Sequence, residues 1–306
     1  MALTGVLRPG FCQLRVLDME ASLRHYVDLL GMTLVSREAD GRAYLKARNE
    51  FDRHSVVLRP AATAGIDVFA FKVDGARSLA DFVRRIDAWG LAVDWVPAGE
   101  QPGVGERVGF TVPSGHRFEL YHQIDIAEVA PQTQNPYIWN PVPKGVDVLR
   151  MDHGLFYGPD IEKNLDFFVD VLDFKLTESV EAPDQIVAVF LSCSTKAHDI
   201  AFVRHPEPGK LHHISFLVKD WSAIGHAADM MVHTDTPIDI GPTRHGITQG
   251  QTIYFFDPSG NRNETFAGDF TFYPDYPRKV WDASEIGRAI FYYERALNER
   301  FLTVVT

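Results

Sequence analysis

The stretch whose reading decides the fold is Gly250–Phe266, GQTIYFFDPSGNRNETF, set against Gly105–Tyr121, GERVGFTVPSGHRFELY. A constant offset of 145 superposes Pro113 on Pro258, Gly115 on Gly260 and Glu119 on Glu264. At the same offset Ile66–Val73 (IDVFAFKV) falls on Leu211–Val218 (LHHISFLV), and at 142 Leu23–Leu34 (LRHYVDLLGMTL) matches Leu165–Leu176 (LDFFVDVLDFKL). Self-similarity this extended marks a duplicated domain. Within the second copy, Pro258 and Gly260 are turn residues, so Thr252–Phe256 and the strand ending near Phe266 fold back as a hairpin. His245 on the preceding loop, Tyr254 and Glu264 are then pieces of a polar site, which the remaining chain must complete.

Outward from the hairpin, both halves read alike. A strand (13–16; 154–157) leads into an amphipathic helix with apolar residues at Leu23, Tyr26, Val27 and Leu30, and at Leu165, Phe168, Val169 and Leu172. Three strands follow, and then a second unit of strand, helix (78–89; 221–232) and closing strands. The expected fold is α+β: two tandem domains, each of paired βαβββ modules, plus a C-terminal helix. The domains span 1–130 and 148–269, joined by a linker at 131–147 with Pro131, Pro136, Pro141 and Pro143. A tail over 270–306 passes Pro274 and Pro277 into the last helix. That helix starts at Asp282 with Glu285 three residues on, and Ile286, Ile290, Tyr293 and Leu297 form its apolar face.

Composition narrows the function. A net charge of -11 argues against nucleic acid and anionic membrane surfaces as partners. MALTGVLRPG carries no signal-peptide pattern, and no apolar run reaches the length of a membrane span. Two cysteines, Cys12 and Cys193, form no disulfide framework and fit a reducing cytoplasm as buried, inert thiols. Of 12 histidines, only His25, His54, His116 and His122 precede residue 150, so a histidine site belongs to the second half. His25 and His226 are expected on helix surfaces, and His205 and His233 near loops.

Two histidines and one carboxylate on one face are the ligand set of many Fe(II) enzymes that activate oxygen. The candidates are His153 on the first strand of the third unit, His212 or His213 on the first strand of the fourth, and Glu264. The repeat provides an internal control: the first-half counterparts are Gln13, Val68 and Glu119, so only the glutamate persists and the first half is a non-metal-binding copy. His212 and His213 should point to opposite faces because strand side chains alternate. Alternation alone does not choose between them. The run His233-Thr234-Asp235…His245 imitates the ligand set of another iron family, but the duplicated strand–helix pattern contradicts its jelly-roll fold. Cys193 and Ser194 lack the glycines of a nucleophile elbow.

The spacing His245, seven residues, Ile253-Tyr254, two residues, Asp257-Pro258, Gly260, Glu264 resembles the signature of the extradiol ring-cleavage dioxygenases. The likeness runs from RPGFCQLRVLDM (8–19) through STKAHDIAFVRHPEPGKLHHISF (194–216) to NERFLTVVT (298–306). This resemblance implies the vicinal-oxygen-chelate (glyoxalase-like) fold and Fe(II) on His153, His213 and Glu264, with Mn(II) suited by the same ligand types. It implies His198 as acid/base near the oxygen site, His245 and Tyr254 on the substrate oxygens, and Phe190 and Phe301 along the ring pocket. The reaction implied is meta cleavage of catechol or small alkylcatechols by O₂ to 2-hydroxymuconic semialdehyde-type products, in aromatic-compound degradation. The aromatic diol and O₂ would be its small-molecule partners, and the state implied is a cytoplasmic homotetramer. Two other classes use the same fold. A glyoxalase-like isomerase needs a fourth protein ligand that Gln13 and Val68 do not offer, and a sequestering protein lacks the metal set found here.

Overall fold

The computed structural model describes residues 5–128, 142–273 and 275–306. Pro131, Pro136, Pro141 and Pro274 lie outside the described residues. The first half begins with β1 (Val6–Val16), α1 (Met19–Leu23), β2 (Thr33–Arg37), β3 (Ala43–Lys46) and β4 (Val56–Pro60). It continues as β5 (Gly65–Val73), α2 (Ala76–Trp89), β6 (Val93–Val96), β7 (Arg107–Thr111) and β8 (Arg117–Tyr121). The second half repeats this order as β9 (Arg150–Gly158), α3 (Ile161–Asp170), β10 (Lys175–Ala182), β11 (Gln185–Ser192) and β12 (Ile200–Arg204). Its second module is β13 (Lys210–Leu217), α4 (Trp221–His233), β14 (Ile238–Arg244), β15 (Gln251–Phe256) and β16 (Arg262–Ala267). Each half is a pair of βαβββ modules, and the class is α+β as the repeat implies.

The modules of a half join through their first strands, β1 antiparallel to β5 and β9 antiparallel to β13. The resulting sheets run β2-β3-β4-β1-β5-β8-β7-β6 and β14-β15-β16-β13-β9-β12-β11-β10, the second extended beside β10 by a parallel strand at Lys279–Asp282. The turns that close the two hairpins need a left-handed residue, and Gly115 (φ 86°) and Gly260 (φ 95°) supply it without a Cβ penalty. Phenylalanines fill the space between the halves: Phe69 meets Phe156 at 5.5 Å and Phe118 meets Phe202 at 6.2 Å between ring centroids. One apolar cluster therefore spans both sheets.

Strand register corrects the internal control. Phe11 pairs with Ala70 as His153 pairs with Ser215, and Leu14 pairs with Ile66 as Phe156 pairs with Leu211. The first-half counterpart of His153 is thus Phe11, not Gln13; the 142 offset of the helices already holds in the strands before them.

Two helix expectations also change. Residues Arg24–Leu29 form a π-helical turn after α1, and the extra residue per turn rotates His25 inward. His25 is buried, with Nε2 2.8 Å from Asn263 Oδ1, rather than on a helix surface. His226 is exposed as expected. The single C-terminal helix is instead β17 (Lys279–Asp282), a 3-10 turn (Ala283–Glu285), α5 (Ile286–Ile290) and α6 (Glu299–Thr303). Asp282 does cap, accepting from Ser284 N at 2.8 Å. The helix stops because Phe291 leaves helical geometry (φ -121°, ψ 89°) to bury its ring against Phe301, 4.9 Å away. Tyr293, assigned to the apolar face, is exposed.

Candidate metal centre

The sheet order β15-β16-β13-β9 brings one row of residues together: Tyr254 opposite Glu264, Glu264 opposite Ser215, and Ser215 opposite His153. His213 lies two residues before Ser215, on the same face by alternation. All of them are buried. His153 Nε2 stands 3.0 Å and His213 Nε2 3.3 Å from the same oxygen, Glu264 Oε2. One ligand atom from each of the three falls within 4.8 Å of the others.

Neighbouring groups set the state of these atoms. Asp152 Oδ2 can only accept, so His153 Nδ1 donates to it at 3.0 Å and Nε2 is directed at Glu264. The other Asp152 oxygen meets Arg150 at 2.8 Å and Lys196 at 3.4 Å. Burial opposes ionisation of Asp152, but Lys196, His153 and Arg150 hold its pKa far below the carboxylate range. Burial likewise opposes charge on Glu264, and the surrounding imidazoles outweigh it, so Glu264 stays ionised. For His213 burial prevails and lowers the pKa to about 4, leaving the ring neutral. His213 Nε2 and Glu264 Oε2 are both buried without a hydrogen-bond partner among the described residues. Two lone-pair atoms facing each other in an apolar interior are costly unless a cation sits between them. The residues therefore fit a divalent metal held by two imidazoles and a carboxylate.

The remaining residues singled out in the sequence surround this point. His198, on the loop before β12, lies over His153 with ring centroids 4.0 Å apart. Burial, then the charge of His153, pushes its pKa well below the usual value, and its Nδ1 has no partner among the described residues. His245 Nδ1 donates to the carbonyl of Ile290 on α5, so its Nε2 accepts from the Tyr254 hydroxyl at 2.8 Å. Phe190 packs on His198 at 5.4 Å and Phe301 on Tyr254 at 4.9 Å. All eight residues line one cavity whose other walls include Leu155, Val180, Val187, Ala188, Ile247 and Ile286. His233 and Asp235 lie exposed at the end of α4, apart from this group.

Comparison with known proteins agrees with this geometry. Residues 66–125 match the catechol 2,3-dioxygenase-like N-terminal domain, and residues 150–265 the glyoxalase/bleomycin resistance protein/dioxygenase superfamily. The chain is 49% identical to a metapyrocatechase of Pseudomonas sp. (strain CF600) over 304 residues, 99% of each chain. The chain belongs to the metapyrocatechase family of extradiol dioxygenases. Within this family's reach, a manganese-dependent 2,3-dihydroxybiphenyl 1,2-dioxygenase of Geobacillus genomosp. 3 is 28% identical over 90% of each chain. Among solved structures, the 2,3-dioxygenase LapB from Pseudomonas sp. KL28 superposes with a TM-score of 0.89 at 44% identity, covering 92% of this chain and 99% of that one. The homoprotocatechuate 2,3-dioxygenase from Brevibacterium fuscum (TM-score 0.87, 23% identity, 98% of this chain and 92% of that one) shares the fold.

Sequence reading missed four contributors. Asp152 orients a proposed ligand, and Thr252 donates its hydroxyl to Glu264 Oε1. Ile290 fixes the tautomer of His245 through a carbonyl, which no side-chain pattern reveals. His212, which strand alternation would place on the face opposite His213, instead has its Nδ1 2.7 Å from His213 Nδ1. A β-bulge between Leu211 and His213 suspends the alternation there and turns the two rings toward each other.

Proposed function

We propose that the chain is an Fe(II)-dependent extradiol dioxygenase that cleaves catechol or small alkylcatechols with O₂ to 2-hydroxymuconic semialdehyde-type products. The carrying observation is the buried, unpartnered pair of His213 Nε2 and Glu264 Oε2, completed by His153, in a chain half-identical to a metapyrocatechase. His153, His213 and Glu264 are the proposed ligands of Fe(II); the manganese-dependent relative supports Mn(II) as the alternative ion. When bound, the ion supplies Lewis acidity toward the diol and an electron-transfer partner for O₂.

The chain's own groups do the rest. Leu155, Val180, Val187, Phe190 and Phe301 form an apolar wall that takes the ring and keeps water out. His198 is neutral in its buried place, so it can accept a hydroxyl proton of the diol and later return one to oxygen. Tyr254, held on His245, is placed to hydrogen-bond a substrate oxygen, and the Ile290 carbonyl keeps His245 in the tautomer that permits this. Asp152 and Thr252 keep His153 and Glu264 aimed at one point.

In the same reading, residues 1–130 are a non-metal-binding domain, 131–147 a linker, 148–269 the catalytic domain and 270–306 its capping tail. Supporting this division, Arg107 stands beside Glu119 where a metal would otherwise be needed. We read the protein as a cytoplasmic homotetramer that engages no nucleic acid or membrane. Among the described residues, no helix is long and apolar enough to cross a membrane. The deciding experiment is aerobic addition of catechol to iron-loaded protein. A yellow ring-fission product with O₂ uptake is expected; cis,cis-muconate, or no O₂ uptake, overturns the reading.

A further inference from the structure

We propose that His212 is a positioning residue that fixes the tautomer of His213, and that it does so only while the C-terminal helix α6 is docked. The carbonyl oxygen of Phe301 can only accept, so His212 Nε2 donates to it at 2.7 Å. A neutral imidazole that donates from Nε2 carries its lone pair on Nδ1. His212 Nδ1 lies 2.7 Å from His213 Nδ1, so the proton between them belongs to His213. With Nδ1 protonated, His213 Nε2 is a bare lone pair, and this is the buried, unpartnered atom that faces Glu264. In the other tautomer a proton would occupy the place of the metal.

The packing around His212 serves this relay. Its ring stacks on Tyr157 (4.8 Å, 18°) and takes the edge of Phe301 (4.6 Å, 73°), which fixes the ring plane. The carbonyl that starts the relay is held by the tail itself. Asn298 caps α6, Arg262 donates to the carbonyls of Val304 and Arg300, and Thr306 pairs with Leu211 in both directions. Leu211 is the residue before His212. Docking of the last nine residues and the lone pair of a proposed ligand are therefore one connected network. Any group that binds that lone pair must in turn favour the docked tail, because coupling between two sites is reciprocal.

This inference rests on the reading of His213 as a ligand, and the test separates the two. The metal-free full-length protein is titrated anaerobically with Fe(II) against a chromophoric chelator. The same samples are followed by hydrogen exchange of the amides of residues 300–306. His212→Leu removes both ends of the relay and is expected to weaken Fe(II) binding about 10- to 100-fold. His212→Asn places an acceptor near the Nδ1 position and is expected to stay within about threefold of wild type, whereas His212→Gln reaches only toward Phe301 and is expected to fall with His212→Leu. Fe(II) is expected to slow exchange of the tail in the wild type and not in His212→Leu. Wild-type affinity in His212→Leu, or equal losses in His212→Asn and His212→Leu, overturns the proposal. His213→Ala serves as the control: retention of Fe(II) there overturns the ligand reading itself, whatever the His212 variants do.

Discussion

Arg107 Nε lies 2.7 Å from Glu119 Oε2, at the place in the first half that corresponds to Thr252 and Glu264 in the second. The two glutamates are equivalent by register, and each is buried. Their partners differ. Glu264 faces two imidazole nitrogens, whereas Glu119 faces the guanidinium groups of Arg107 and Arg117, with Phe11 where His153 would be. In the first half the cation beside the carboxylate is thus a side chain of the chain itself.

This contrast fixes the outcome of alanine substitution. His153→Ala, His213→Ala and Glu264→Ala are each expected to abolish iron retention through gel filtration, read by metal analysis. Glu119→Ala should retain stoichiometric iron but lose roughly 3 kcal/mol of stability, because it strips a buried guanidinium of one carboxylate. Stoichiometric iron in Glu264→Ala would refute the ligand set.

His198→Phe should bind iron and catechol while turnover falls by about 10²- to 10⁴-fold, the usual worth of a positioned proton-transfer group. Substrate binding is read anaerobically from the spectrum of the complex, and turnover from O₂ uptake. Turnover at the wild-type rate would remove His198 from the proton-transfer step.

Selectivity should follow from the cavity wall. Among the described residues its lining contains no lysine or arginine, so a carboxylate-bearing ring would be desolvated without a partner. Steady-state kcat/KM for 3,4-dihydroxyphenylacetate is expected at least about 100-fold below that for catechol or 3-methylcatechol. Comparable values would mean that a cation reaches the bound ring.

Stability should fall on mild acidification through two first-half histidines. Burial lowers the pKa of His54 and of His116 to about 4, against hydrogen bonds that act the other way. His116 joins the halves, accepting from the Ser114 hydroxyl at 2.8 Å and donating to the Lys210 carbonyl at 3.0 Å. Between pH 6.5 and 4 the unfolded chain takes up protons that the folded chain refuses. Stability is therefore full above about pH 6.5 and declines toward pH 4, by up to roughly 3 kcal/mol per histidine. Urea midpoints at pH 7.5 and 5 measure this, and His116→Gln should flatten the slope. An unchanged slope would mean that His116 does not stay neutral in the fold.

Much of this protein is written locally. The repeat, the eight module strands of each half, the DPSG and VPSG turns and the places of His153, Glu264 and the His212-His213 pair follow from spacing and strand period, because each depends on a few consecutive residues, whereas the choice of His213 within the pair rests on the family resemblance. What the period misread are the places where one residue is added. The bulge at His212 undid the opposite-face rule. The π turn after α1 buried His25. A single inserted residue shifts every later side chain to a new direction, and its cost is repaid by contacts far away in the chain.

Sequence alone thus determined the duplicated α+β fold and the residues able to hold a metal. Only the tertiary structure decided their protonation partners: Asp152 on His153, His212 and the Phe301 carbonyl on His213, and the Ile290 carbonyl on His245. Backbone carbonyls carry no identity in a sequence, and the break of the C-terminal helix at Phe291 sets that ring against Phe301, a contact that exists only in the folded chain.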